Sequence, residues 1–106
     1  MKIAVVLFEE RVSPRFGGSS EVLVVETAGS EILREETQDV GRKRPMELAR
    51  RLVNMRVDKL ICGGINRYHK EWLKRKGVSV LDNRMGRARD MLEELIEGDK
   101  DKGTKT

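Results

Sequence analysis

Lys2-Ile-Ala-Val-Val-Leu-Phe8 is the stretch that decides the fold. Apolar residues follow Lys2 without a polar break. A strand carrying apolar side chains on both faces must be covered on both, which is the position of a central strand in an α/β sheet. The rest of the chain has to supply the covers. Glu9 to Ser20 breaks all periodicity and contains Pro14, Gly17 and Gly18, so it reads as a loop, longer than an ordinary connection. Glu21-Val-Leu-Val-Val-Glu-Thr27 is a second strand, and Ala28-Gly29-Ser30 turns it into a third, Ile32-Leu-Arg-Glu-Glu36. The charge on the third suits an exposed edge, where it discourages unwanted pairing.

From Pro45 the period becomes helical. Leu48, Ala49, Leu52 and Val53 line one face, and Pro45 suits the first helical position. Leu60-Ile-Cys62 is a short buried strand closed by Gly63-Gly64. Asn66 is placed to cap a second helix that runs to Gly77. Val78-Ser-Val-Leu81 is a fifth strand, and Ala88, Met91, Leu92, Leu95 and Ile96 stripe a third helix ending at Gly98. The element order β-β-β-α-β-α-β-α places the chain in the α/β class, with helix-connected strands that pair in parallel. Residues 1–97 read as one domain, and residues 98–106, apolar-free after Gly98, as a disordered tail.

Composition narrows the function classes. A single cysteine rules out an internal disulfide and fits a reducing compartment, and no apolar run approaches the length of a membrane span, so a cytoplasmic place is expected. The net charge of +4 conceals a segregation. Residues 1–40 hold 4 basic and 8 acidic side chains, whereas residues 41–86 hold 13 basic and 4 acidic. That basic stretch could attract nucleic acid or a small anion, or could be the solvated outer face of two helices.

Ile61-Cys-Gly-Gly-Ile-Asn-Arg-Tyr-His69 holds the only cysteine and the only histidine. Steps of about 100° per residue turn His69 toward the apolar side of the second helix, with Ile65, Tyr68, Trp72 and Leu73. Cys62 and His69 could approach each other at a helix N-terminus, where backbone amides favour an anion or a thiolate. A cysteine in an apolar strand is more often a small buried hydrophobe, and Gly-Gly after a strand often marks only close backbone approach. One Cys and one His do not close a four-coordinate zinc site. The loop after the first strand offers Ser13, Arg15, Phe16 and Gly17, with Phe16 either facing a ligand or plugging the core. No hydrolase constellation is visible: the first strand lacks the carboxylates of a two-metal nuclease, and Ser13 has no histidine near it in sequence.

Met1-Lys-Ile-Ala-Val-Val6, Arg11-Val-Ser-Pro-Arg-Phe-Gly17 and Leu23-Val-Val-Glu26, followed by Leu60-Ile-Cys-Gly-Gly-Ile-Asn66 and Gly77-Val-Ser-Val80, resemble a known family. It is the dinitrogenase iron–molybdenum cofactor biosynthesis family, the NifX-like domain also found in NifB and in small stand-alone proteins. The resemblance covers residues 1–97 and departs at Arg15, where many members carry histidine. It implies a ribonuclease H-like three-layer α/β/α sandwich. Its five-stranded mixed sheet would have the order 3-2-1-4-5, counting the strands above, with the second strand antiparallel. A crevice then opens between the first and fourth strands, where open α/β sheets take ligands.

The resemblance further implies a non-enzymatic carrier that binds an iron–sulfur or iron–molybdenum cluster precursor and hands it to a cofactor-assembly protein. Cys62 and His69 are then the candidate metal ligands. Arg15, Ser13, Phe16, Gly17, Gly63, Gly64 and Asn66 would shape or neutralise the site. The alternative is a nucleic-acid-binding module using the basic 41–86 region, which the scarcity of aromatic platforms disfavours.

Overall fold

A computed structural model describes residues 1–18 and 21–104, with the backbone alone for residues 99–104. Strand β1 (Lys2–Phe8) runs through the middle of the sheet. Its alternation sorts the two cores: Ile3, Val5 and Leu7 join one apolar cluster, and Ala4 and Val6 the other. Each such buried aliphatic contributes about 1.5–3 kcal/mol, so β1 ties both layers to one element.

A two-residue strand, β2 (Arg11–Val12), folds back on β1 with Leu7 opposite Val12 and Phe8 opposite Arg11. The chain then makes β3 (Glu21–Ala28), β4 (Glu31–Asp39), α1 (Pro45–Asn54), β5 (Lys59–Ile61), α2 (Arg67–Arg75), β6 (Ser79–Leu81) and α3 (Ala88–Thr104). Among the described residues the sheet order is β4-β3-β1-β5-β6, with β2 paired to β1. β3 is antiparallel to both neighbours, while β1, β5 and β6 are mutually parallel. α1 and α2 cover one face through Leu48, Ala49, Leu52 and Leu73; α3 covers the other through Ala88, Leu92 and Ile96.

Local chemistry starts and stops these helices. Pro45 opens α1 after Arg44, whose backbone N–H donates to Glu47 Oε1 at 3.3 Å. Asn66 caps α2, its Oδ1 accepting from the Tyr68 N–H at 2.7 Å. Gly77, at φ +89°, ends α2 while the Val78 N–H reaches back to the Leu73 carbonyl at 3.0 Å.

Three expectations change. β2 lies inside what read as loop, because its turn, Glu9-Glu10, lacks the usual turn residues and holds Glu9 at φ +58°. The third of the expected strands runs Glu31–Asp39 rather than 32–36, since hydrogen bonding to β3 carries it past the end of its apolar residues. The helix α3 passes Gly98 and continues to Thr104, where a disordered tail was expected over 98–106. One glycine costs a formed helix only about 1 kcal/mol and does not by itself end it. Residues 105–106 lie outside the described residues.

A Cβ at Gly63 would collide with the Ser13 carbonyl oxygen and come within 2.5 Å of the Pro14 oxygen; one at Gly98 would meet nothing within 4 Å. Gly63→Ala is therefore expected to lose about 1–3 kcal/mol in urea unfolding, and Gly98→Ala to gain up to about 1 kcal/mol. Equal effects of the two substitutions would contradict the close approach.

Candidate functional site

The chain leaves β1 for β3 and β4 on one side and returns to β5 on the other. The direction of connection therefore reverses between β1 and β5, beyond the carboxyl ends of the parallel strands. Three segments meet there: residues 9–18 after β1, 62–66 after β5 and 82–87 after β6. Their contact is made by backbone. The Gly64 N–H donates to Pro14 O and the Phe16 N–H to Gly64 O, both at 2.8 Å. The Arg84 N–H donates to Cys62 O at 3.0 Å and the Asn83 N–H to Gly63 O at 2.9 Å. The Val12 N–H donates to Gly86 O at 2.9 Å, so the last segment is fastened to the first as well.

These bonds explain the glycines. Gly63 lies where the Ser13–Pro14 backbone leaves no room for a side chain. Gly17 has φ +95°, and a Cβ there would come within 2.7 Å of Pro45 Cγ, so this loop also abuts the start of α1. The Gly63-Gly64 pair thus serves close backbone approach, the simpler of its two sequence readings.

The singled-out side chains divide between core and surface. Phe16 is 5% exposed and plugs the α1–α2 core. Ser13 is buried, and its Oγ donates to Arg15 O at 3.0 Å. Arg15 is exposed and lines a hollow of about 290 Å³ with Phe8, Ser13, Pro14, Gly17 and Gly18. Asn66 spends its side-chain oxygen on the α2 cap.

Cys62 is fully buried in the α1–α2 core, and burial, reinforced by the nearby Asp82 carboxylate, pushes its thiol up to about 12; Lys70 opposes the shift. As the chain stands, the thiolate a metal needs is not presented to the crevice. His69 is half-buried, edge-on to Tyr68 with ring centroids 5.5 Å apart. Its Nδ1 is buried without a hydrogen-bond partner among the described residues. Such an atom costs about 1–3 kcal/mol and calls for a specific reason.

The 82–87 segment carried no motif and was missed in sequence; Gly86 was its visible turn signal, with Asn83 a second position able to take positive φ. It contributes Asp82, which accepts from Lys70 Nζ at 2.9 Å, and the exposed Arg84 and Met85. Arg11, Arg15, Arg67, Arg84 and Arg87 are all exposed at this end of the sheet, alongside Glu9 and Glu10. Elsewhere the basic stretch lies on outer helix positions, with Arg50, Arg51, Lys74 and Arg75 exposed. Among the described residues, no three His, Cys, Asp or Glu side chains converge to hold a metal ion.

Hollows of about 400 and 490 Å³ lie on the α3 face, one beside β6 and one at the start of α3. They arise where a single helix leaves a wide sheet partly uncovered, so their size alone does not mark a site. No helix among the described residues is long and apolar enough to cross a membrane.

The sequence pattern of the family described as "Dinitrogenase iron-molybdenum cofactor" matches residues 1–98. The chain belongs to this family. Solved structures similar to it agree in fold. PH0822 is 24% identical with a TM-score of 0.86, over 92% of this chain and 90% of that one. A Methanocaldococcus jannaschii protein proposed to be a dinitrogenase is 19% identical with a TM-score of 0.73, over 93% and 90%. The orange protein of Desulfovibrio gigas, solved in its apo form, is 21% identical with a TM-score of 0.75, over 92% and 88%. No curated protein matches the chain.

The Lys70 hydrogen bond holds the Asp82 carboxyl below its ordinary value of 3.8. A carboxylate lowered in the folded state stabilises above its unfolded pKa, and that stability is lost as pH falls through the native value. Urea unfolding between pH 5 and pH 2 is expected to weaken more steeply in wild type than in Asp82→Asn, by about 1 kcal/mol or less for a pair this exposed. Parallel curves would show that the pair contributes nothing.

Proposed function

We propose that the chain is a non-enzymatic carrier of a cluster precursor, iron–sulfur or iron–molybdenum, held beyond the carboxyl ends of β1 and β5. The observation that carries this reading is the unpartnered Nδ1 of His69, in the first turn of the helix that follows the 62–66 segment. An imidazole nitrogen is a competent ligand for iron, and exposed arginines suit an anionic cluster. Arg15 lines the hollow on one side, and Arg84 follows β6 on the other. Ser13, Phe16, Gly17, Gly63, Gly64 and Asn66 shape the walls through the packing and hydrogen bonds described above. Cys62 joins as a ligand only if the core opens to it.

Membership of the iron–molybdenum cofactor family supports the choice of cargo. The sheet order and the helices on both faces support a ribonuclease H-like assignment. A carrier role is favoured over hydrolysis because Ser13 Oγ is engaged by the Arg15 carbonyl and, among the described residues, no carboxylate accepts from the His69 Nδ1 to orient the ring as a base. The cargo would pass to a cofactor-assembly protein in the cytoplasm, where a free thiol persists.

Anaerobic incubation with iron and sulfide tests the reading. Wild type is expected to develop a visible charge-transfer band that His69→Ala largely loses. Arg15→Gln should form the band at a cluster concentration up to about tenfold higher. No band in wild type, or one of equal strength in His69→Ala, contradicts the proposal.

A further inference from the structure

Lys70 and Asp82 form an ion pair that joins α2 to the turn after β6. Lys70 lies one turn into α2, its backbone N–H bonded to Asn66 O at 3.0 Å, so the capped helix fixes its stem. Asp82 is the first residue beyond β6. The pair joins them at 2.9 Å with side chains 32% and 19% exposed, more sheltered than the Arg87–Glu10 pair at 67% and 87%. Directly after Asp82, the backbone amides of Asn83 and Arg84 hold the carbonyls of Gly63 and Cys62. The segment that Asp82 anchors is therefore the one fastened over the end of β5.

Cys62 points to the α1–α2 side of the sheet, the side on which Lys70 is carried. The Cys62 N–H donates to Leu81 O at 3.1 Å and its carbonyl accepts from the Arg84 N–H at 3.0 Å, so the backbone sets Asp82, and with it the pair, beside Cys62. We propose that the Lys70–Asp82 ion pair is a latch that keeps Cys62 out of the crevice, and that an anion drawing Lys70 away from Asp82 opens the way to the thiol. Lys70 is then a positioning residue for cargo, a part of the site that charge alone on a surface helix does not reveal. The inference deepens the carrier reading by giving Cys62 a conditional role. The pair would hold the core closed while the crevice is empty.

The thiol can be followed directly. The native protein, without iron or sulfide, is mixed with an aromatic disulfide reagent at pH 8 and release of the coloured thiolate is timed. Wild type is expected to react far more slowly than the urea-unfolded chain. Asp82→Asn and Lys70→Met should each speed the native reaction severalfold, up to about fivefold, the effect of losing one partly exposed ion pair on a local opening. Lys70→Arg, which can keep the pair, should stay near wild type. Arg89→Ala breaks the Arg89–Glu35 pair on the other face, where the contacts are 2.6 and 2.8 Å, and should leave the rate unchanged.

Equal rates in wild type and both latch variants overturn the proposal. So does acceleration in all four variants in proportion to their loss of stability in urea, because the thiol is then reached by global unfolding. So does a wild-type rate equal to that of the unfolded chain. No cargo is present in the assay, so failure of cluster reconstitution leaves this result standing, and the reverse also holds.

Discussion

The contact between Gly63-Gly64 and Ser13-Pro14 holds this structure together where it matters. Two hydrogen bonds of 2.8 Å tie Gly64 to Pro14 and Phe16, and they form only because Gly63 has no side chain to strike the Ser13 carbonyl. With that approach made, Phe16 drops into the core and the loop lies against Pro45. The two sides of the topological switch are then one backbone surface. Remove the approach, and the loop after β1 loses its anchor to the turn after β5.

The second constraint is the alternation of β1 and β5. A strand covered on both faces assigns each side chain to one layer, so a shift of one residue would exchange the layers. Leu60 and Cys62 face α1 and α2, whereas Ile61 faces α3. This register sets which face Cys62 takes, and the closed turn after it, held by the Asn83 and Arg84 amides, governs access to it. Its chemistry is therefore controlled by the elements above it, chiefly the start of α2 and the segment after β6. His69 is carried in the first turn of that helix, with its Nδ1 unpartnered among the described residues.

Much of this was legible in the chain. The unbroken apolar run of Lys2–Phe8 required covers on both faces, and the helical stripes of Leu48–Leu52 and Ala88–Ile96 supplied them. The inward turn of His69 followed from helical phase alone. What escaped reading had physical reasons. The strand Arg11–Val12 is held by pairing with β1 and has no periodicity of its own to show. Its turn at Glu9 adopts a left-handed backbone that glycine or asparagine would have announced. Lys70 and Asp82 are common surface residue types whose pairing depends on tertiary placement. Gly98 looked like a helix stop, but a single poor helix former does not outweigh the turns already formed before it.

The most direct test of a ligand site at the switch point is a map of where cargo acts. Backbone amide spectra recorded before and after anaerobic loading with iron and sulfide provide it, because a bound paramagnetic cluster broadens nearby signals. Broadening confined to residues 11–18, 62–70 and 82–87 is the predicted result. Broadening centred on the β3–β4 hairpin, or on the hollow between β6 and α3, would contradict the account.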